Sequence, residues 1–213
     1  MLNRVAHSVN GDDVVSGGFV NPVFEAQSTF KTLMDAMARP GTHQAVKATT
    51  ISSNGINSTV AALILTLCDA DTPVWLDPTL DLDAFDAWIR FHTGAPLCKQ
   101  PNDAQFGVCA NPIDMPALSS FMQGTQDYPD RSTTLIVQCQ SLQGGPTVAL
   151  SGPGIPGEEV LSLPDVPSVF IELWQANREI FPRGVDVIFA GQGAVMSLPR
   201  STRLRRENEE LEL

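Results

Sequence analysis

A chain of 213 residues with 43% hydrophobic and 17% charged side chains has the composition of a single globular domain, which excludes a disordered or fibrous polymer. Thirteen basic and 24 acidic residues give a net charge of −11. Residues 200–213 hold four arginines and four glutamates, so residues 1–199 carry nine basic against 20 acidic groups, a body that repels polyanions and argues against general nucleic-acid binding.

The sequence divides into a polar, glycine-dotted lead-in (1–20), one α/β domain (21–203) and a charged tail (204–213). Asn21-Pro22 is a helix start, since Asn caps orphan amides and Pro is pre-set for a first turn. Phe30, Leu33, Met34 and Met37 then share a helix face until Arg39-Pro40-Gly41-Thr42 ends it. Ser58 is placed to cap a second helix, Thr59–Cys68, apolar nearly all round. Residues 72–76 read as a short strand. Asp81 or Asp83 caps a third helix, with Phe85, Trp88, Ile89 and His92 on one face and Gly94 as its stop. A strand over Phe106–Ala110 and a short helix over Pro116–Met122 follow. Leu135–Cys139 and Thr147–Leu150 are β-rich runs on either side of Gly144-Gly145. Ser168 opens a helix that carries Val169, Ile171, Leu173, Trp174 and Ile180, and Val185–Ala190 with Ala194–Leu198 form a hairpin about Gly191-Gln192-Gly193. Helices alternating with strands predict a layered α/β sheet.

Cys68, Cys98, Cys109 and Cys139 include no CxxC pair, and three of them sit in apolar surroundings; buried free thiols are expected, with a disulfide or metal site as the alternative. Met1–Val20 lacks a secretory h-region, and no apolar run approaches the roughly 18 residues of a membrane span. The expectation is a soluble cytoplasmic protein.

His7, His43 and His92 are scattered without metal spacing, and neither an HExxH motif nor a GxSxG elbow is present. The acidic group Asp69, Asp71, Asp77, Asp81, Asp83 and Asp86 reads as a solvated face with helix caps, a divalent-ion site and a docking surface being the alternatives. Arg39, Arg131, Arg183 and Arg200 each stand beside Pro, Gly, Ser or Thr at a segment boundary. Loop guanidinium groups bind oxyanions bidentately, so these four are candidates for anion binding or an interface; in so acidic a chain, pairing with neighbours such as Asp130 and Asp186 competes. His92, in Phe91–Pro96, is either a helix C-terminal cap or a ligand-contacting group. Leu150–Ile155 places two glycines after a strand, but Pro153 removes a donor and no GK[ST] follows, so a structural turn is favoured over a phosphate cradle.

Residues 30–41, Leu67–Leu76, Phe91–Pro96, Leu150–Ile155 and Phe181–Asp186, taken in order, resemble the H subunit of the carbon–phosphorus lyase system, the PhnH family, over about Asn21 to Arg203. The resemblance implies a phosphonate-catabolism protein of the bacterial cytoplasm. It implies a three-layer α/β/α sandwich similar to the large domain of pyridoxal-phosphate-dependent transferases, a homodimer, and a core complex with G, I and J subunits. It further implies an association, with G, I and L subunits, with displacing adenine from ATP by an alkylphosphonate to give ribose 1-alkylphosphonate 5-triphosphate. No cofactor is expected. None of the three lysines, Lys31, Lys47 and Lys99, follows a strand end beside a phosphate loop as a Schiff-base lysine requires, and no cysteine triplet suits an iron–sulfur cluster. Two readings remain open: an accessory subunit that docks in a multisubunit enzyme, and an enzyme in its own right with a nucleotide or phosphonate pocket built from loop arginines.

Overall fold

Five-residue runs such as Thr134–Gln138 and Asp186–Ala190 are apolar on both sides of the chain, which suits strands covered on both faces. The computed structural model describes residues 16–47, 55–80 and 82–207. His7 and Asp81 lie outside them.

The helices are α1 (Pro22–Ala38), α2 (Ser58–Leu67), α3 (Leu82–Thr93) and α4 (Phe170–Glu179). The strands are β1 (Gln44–Ala45), β2 (Val74–Leu76), β3 (Leu97–Cys98), β4 (Phe106–Cys109), β5 (Thr134–Gln138), β6 (Thr147–Ser151), β7 (Glu158–Ser162), β8 (Asp186–Ala190), β9 (Ala194–Leu198) and β10 (Arg203–Arg206). Among the described residues the main sheet has seven strands in the order β1-β9-β8-β5-β4-β2-β3. The run β3-β2-β4-β5-β8 is parallel, while β9 turns back antiparallel to β8 and β1 pairs antiparallel with β9. This is the expected mixed α/β class.

Alternation along each strand feeds two cores. Val74, Leu76, Val108, Ile136, Ile188 and Val195 point to one face, where Leu33 and Ala36 of α1, the α2 residues Val60–Ile64, and Phe85, Trp88 and Ile89 of α3 cover them. Trp75, Leu135, Val137, Val187, Phe189 and Met196 point to the other, beneath Phe170 and Trp174 of α4, Phe121, and Val148 and Leu150 of β6. That second layer differs from an all-helical cover. Strands β10, β6 and β7 form a separate antiparallel sheet within it, with Arg203 opposite Ser151 and Thr147 opposite Ser162. Thus Thr147–Leu150 is a strand but not a hairpin partner of β5. The segment expected to begin a tail at residue 204 continues as β10, clasped by Arg205 to Glu158 and by Arg206 to Glu172.

Local details depart from the expectations where side chains find better partners. Asn21 makes no side-chain cap; its own N–H donates to Glu25 Oε1 at 2.8 Å. The buried line of α1 is Thr29, Leu33 and Ala36, with Met37 packed beside it, so Phe30 and Met34 face outward. Ala36 lies fully buried in the core that α1 shares with α2 and β9. Asn57, not Ser58, caps α2 by accepting from Val60 N–H at 2.8 Å. Val169 precedes α4 with no side-chain cap, and Pro116–Met122 holds only a 3-10 turn at Leu118–Ser120. No helix among the described residues is long and apolar enough to cross a membrane.

The Leu150–Ile155 glycines serve packing. Gly154 has φ +82°, and a Cβ there would fall 2.1 Å from the carbonyl oxygen of Ala38 at the end of α1. Gly154→Ala is therefore expected to destabilise the protein by about 2 kcal/mol or more in urea unfolding, because backbone must move as well as tolerate a left-handed alanine.

Candidate functional site

With both faces of the sheet covered, polar chemistry is confined to its two ends. At the carboxyl ends of the parallel strands, where ligands of open α/β sheets bind, lies a cavity of about 440 Å³. It opens where β4, β5 and β8 finish, beside the N-terminus of α2, and its polar lining includes Asn57, Asn111, Gln138, Gln143 and Gln192. Asn57 and Gln138 fix its floor. Gln138 Oε1 accepts from Asn57 N–H at 2.7 Å and its Nε2 donates to the Gly55 carbonyl at 2.9 Å; Asn57 Nδ2 donates to the Ala190 carbonyl at 3.0 Å. These bonds tie the α2 N-terminus to β5 and β8. One strand over, buried Asp77 follows β2 and accepts from Ala110 N–H at 3.2 Å and from Thr79 N–H and Oγ1.

Three of the five residues singled out in the sequence are gathered at the opposite, amino end. Arg131 precedes β5, Arg183 precedes β8, and Arg200 follows β9; β5 and β8 are neighbours there, Thr134 opposite Asp186. Arg200 is fully engaged. It forms an ion pair with Asp186, to which its Nε donates at 3.1 Å and its backbone N–H at 2.7 Å, and Nη1 donates to the Pro129 carbonyl at 2.6 Å. The pair closes the β8–β9 hairpin against the loop entering β5. Arg131 lies over the Tyr128 ring at 4.2 Å, a cation–π contact. Arg183 is exposed and makes no side-chain hydrogen bond or ion pair among the described residues. A shallow cleft of about 350 Å³ runs past Asp130, Pro182, Asp186 and Arg200 to Met37 near the end of α1.

Arg39, at that end of α1, pairs with Asp35 at 3.5 Å, and Lys31 donates to the same carboxylate at 2.7 Å. That lysine hydrogen bond, helped by both cations, holds the Asp35 carboxyl below the ordinary range. His92 stands apart from the three arginines, on the helical face. Its ring lies 4.9 Å from both Trp88 and Phe91, and Gly18 presses on it so closely that a Cβ would come within 2.8 Å. Its Nε2 is buried without a hydrogen-bond partner among the described residues. Trp88 Nε1 donates to the Ser16 carbonyl at 3.0 Å, so the lead-in is docked on α3 from Ser16 onward.

Asp69 and Asp77 hold turns, whereas Asp83 and Asp86 lie within α3. Asp69 accepts from Thr72 Oγ1 and Asp71 N–H, which lower its pKa in that order, and Asp86 pairs with Arg90. Among the described residues no group of three His, Cys, Asp or Glu side chains is placed to hold a metal ion. The four cysteines are free thiols. Burial pushes Cys68 and Cys139 up to about 12 and raises Cys109 as well, while half-buried Cys98 is raised by the same cause.

The amides of the carboxyl-end cavity carry no charge and no motif, so charge and motif do not mark them in the sequence. The signal that marks them is position: Gln138 and Asn111 stand where apolar strands stop.

Two outcomes follow from this geometry. Asp186→Ala strands the Arg200 guanidinium and is expected to cost about 3 kcal/mol of unfolding free energy, whereas exposed Arg183→Ala changes stability by less than about 0.5 kcal/mol. A thiol reagent at a pH near 8 is expected to modify Cys98 first in the native protein, and Cys68, Cys109 and Cys139 only once denaturant opens the core, because their folded thiols stay protonated.

A family model described as bacterial phosphonate metabolism protein (PhnH) matches residues 17–205. The chain is 44% identical over 194 residues, 91% of its own length and 97% of the relative's, to the alpha-D-ribose 1-methylphosphonate 5-triphosphate synthase subunit PhnH of Rhizobium meliloti (strain 1021). It is 31% identical over 84 residues, 38% of this chain and 42% of the other, to a putative C-P lyase subunit protein HtxG of Stutzerimonas stutzeri. With the family match spanning the whole α/β domain, the chain belongs to the PhnH family of bacterial phosphonate metabolism proteins.

Proposed function

We propose that this chain is an accessory subunit of a carbon–phosphorus lyase core complex. It acts with G, I and J subunits in the bacterial cytoplasm and takes part in forming ribose 1-alkylphosphonate 5-triphosphate, without catalysing a reaction alone. The nearly full-length likeness to a protein named as a synthase subunit supports this reading.

The observation that carries it is an apolar surface left exposed among the described residues. The helix α1 leaves Val23, Phe24, Phe30 and Met34 exposed by half or more, with Val20 just before it and Phe91 on α3 also open. Large apolar side chains gathered on one helix face mark a surface that a partner covers. The same reading makes the chain a homodimer within the assembly. Its three layers, a largely parallel sheet between a helical layer and a mixed one, support a fold likeness to the large domain of pyridoxal-phosphate-dependent transferases; fold alone implies no shared chemistry. Exposed Arg183, with Arg39 and Arg131, serves this reading as an anion or interface contact, whereas Arg200 is held by Asp186 and Pro129 and His92 is packed beneath Gly18.

Co-expression with G, I and J subunits tests it. Replacing Phe24, Phe30 and Met34 together by Asp is expected to cut recovery of this chain in the purified complex by about tenfold, while the isolated variant keeps its helical circular dichroism, since exposed positions contribute little to folding. Undiminished recovery of a folded triple variant contradicts the proposal.

A further inference from the structure

In a chain of net charge −11 with arginines at the other end of its sheet, the carboxyl-end cavity is walled by uncharged hydrogen-bonding groups. Its floor amides, Asn57 and Gln138, are locked to backbone and to each other. The rim is free: Gln140, Gln143 and Gln192 are exposed, and their side-chain amides make no hydrogen bond among the described residues. Among the described residues of the lining, Asp165 is the one that carries a charge, and none is a lysine, arginine or histidine.

These groups discriminate among ligand classes. A phosphoryl or phosphonyl anion would meet Asp165 with no cation among the described lining residues to offset it, and the Val60 N–H at the α2 N-terminus is already taken by Asn57 Oδ1. A purely apolar ligand would strip water from the rim amides and return no hydrogen bonds. A carboxamide presents an acceptor beside a donor, and its complement is a ring edge with a donor next to an acceptor, as nucleobases carry. Asp165 adds an acceptor suited to an exocyclic amino group, while Ile113, Pro112 and Ala110 give apolar surface for ring faces. A volume of about 440 Å³ accommodates a base with its sugar.

We propose that this cavity binds an uncharged nucleobase, as free base or nucleoside, and selects against the phosphorylated forms. The assignment stands independently of the assembly role, because it rests on the lining of the cavity and not on the α1 face.

Titrating the full chain with adenosine, guanosine, cytidine and uridine, observed by ligand-detected NMR, tests it. At least one nucleoside is expected to bind with a dissociation constant below about 5 mM, and its 5′-monophosphate at least about fivefold more weakly. Gln143→Ala with Gln192→Ala is expected to weaken nucleoside binding about tenfold at unchanged melting temperature, and each single variant to show part of that loss. Asp165→Lys is expected to reverse the order of nucleoside and monophosphate, whereas Arg131→Ala, at the other end of the sheet, leaves it as it is. No nucleoside binding at about 5 mM, tighter binding of the monophosphate by the unmodified chain, or full binding by the folded glutamine variants would overturn the assignment.

Discussion

A parallel sheet has no face to offer water, and most of this molecule follows from that constraint. Strands β5 and β8 send Leu135, Val137, Val187 and Phe189 into one core and Ile136 and Ile188 into the other, so each side of the sheet must be roofed. Three helices roof one side. On the other, one helix is not enough, and the small β10-β6-β7 sheet completes the cover with Val148, Leu150 and Leu204. Polar groups are then left with the sheet's ends and the outer surfaces of the roof. The two ends have different chemistry: amides with Asp77 and Asp165 where the strands finish, and guanidinium groups with Asp186 where β5 and β8 begin.

How much of this was legible in the sequence depended on whether a local pattern carried the information. Apolar runs bounded by Gly and Pro located the strands β2, β4, β5, β8 and β9 to within a residue or two, and helical spacing located all four helices. The two-residue edge strands β1 and β3 are defined by hydrogen bonds to distant partners and have no pattern of their own. The strand β10 reads as a charged tail because Arg205 and Arg206 meet Glu158 and Glu172 across the small sheet and α4, contacts 47 and 34 residues away in sequence. Spacing alone also misassigned the rotation of α1, since Phe30 and Met34 fit a buried stripe as well as Leu33 does. The burial of Leu33 and Ala36 against the core, not the spacing, shows which stripe packs inward.

The site residues divide in the same way. Charge at segment boundaries drew attention to Arg131, Arg183 and Arg200, and the fold brings those three loops to one end of the sheet. What each guanidinium touches was not legible: Arg200 binds Asp186 and Pro129, Arg131 covers Tyr128, and Arg183 stays open to solvent. His92 is set apart from those three arginines, packed beneath Gly18 against Trp88 in the last turn of α3. Glutamines at strand ends carry no charge and no motif, so the cavity emerges only when the strands are lined up side by side.

Membership of the PhnH family, exposed apolar side chains on α1 and a sheet with separated ends support the proposed docking through α1 with the carboxyl-end cavity left accessible. Hydrogen–deuterium exchange of the chain alone and within a complex co-expressed with G, I and J subunits tests that claim most directly. The account predicts added protection over residues 20–38 and around Phe91, with the strand ends that line the cavity unchanged. Protection at the cavity with none along α1 would contradict it.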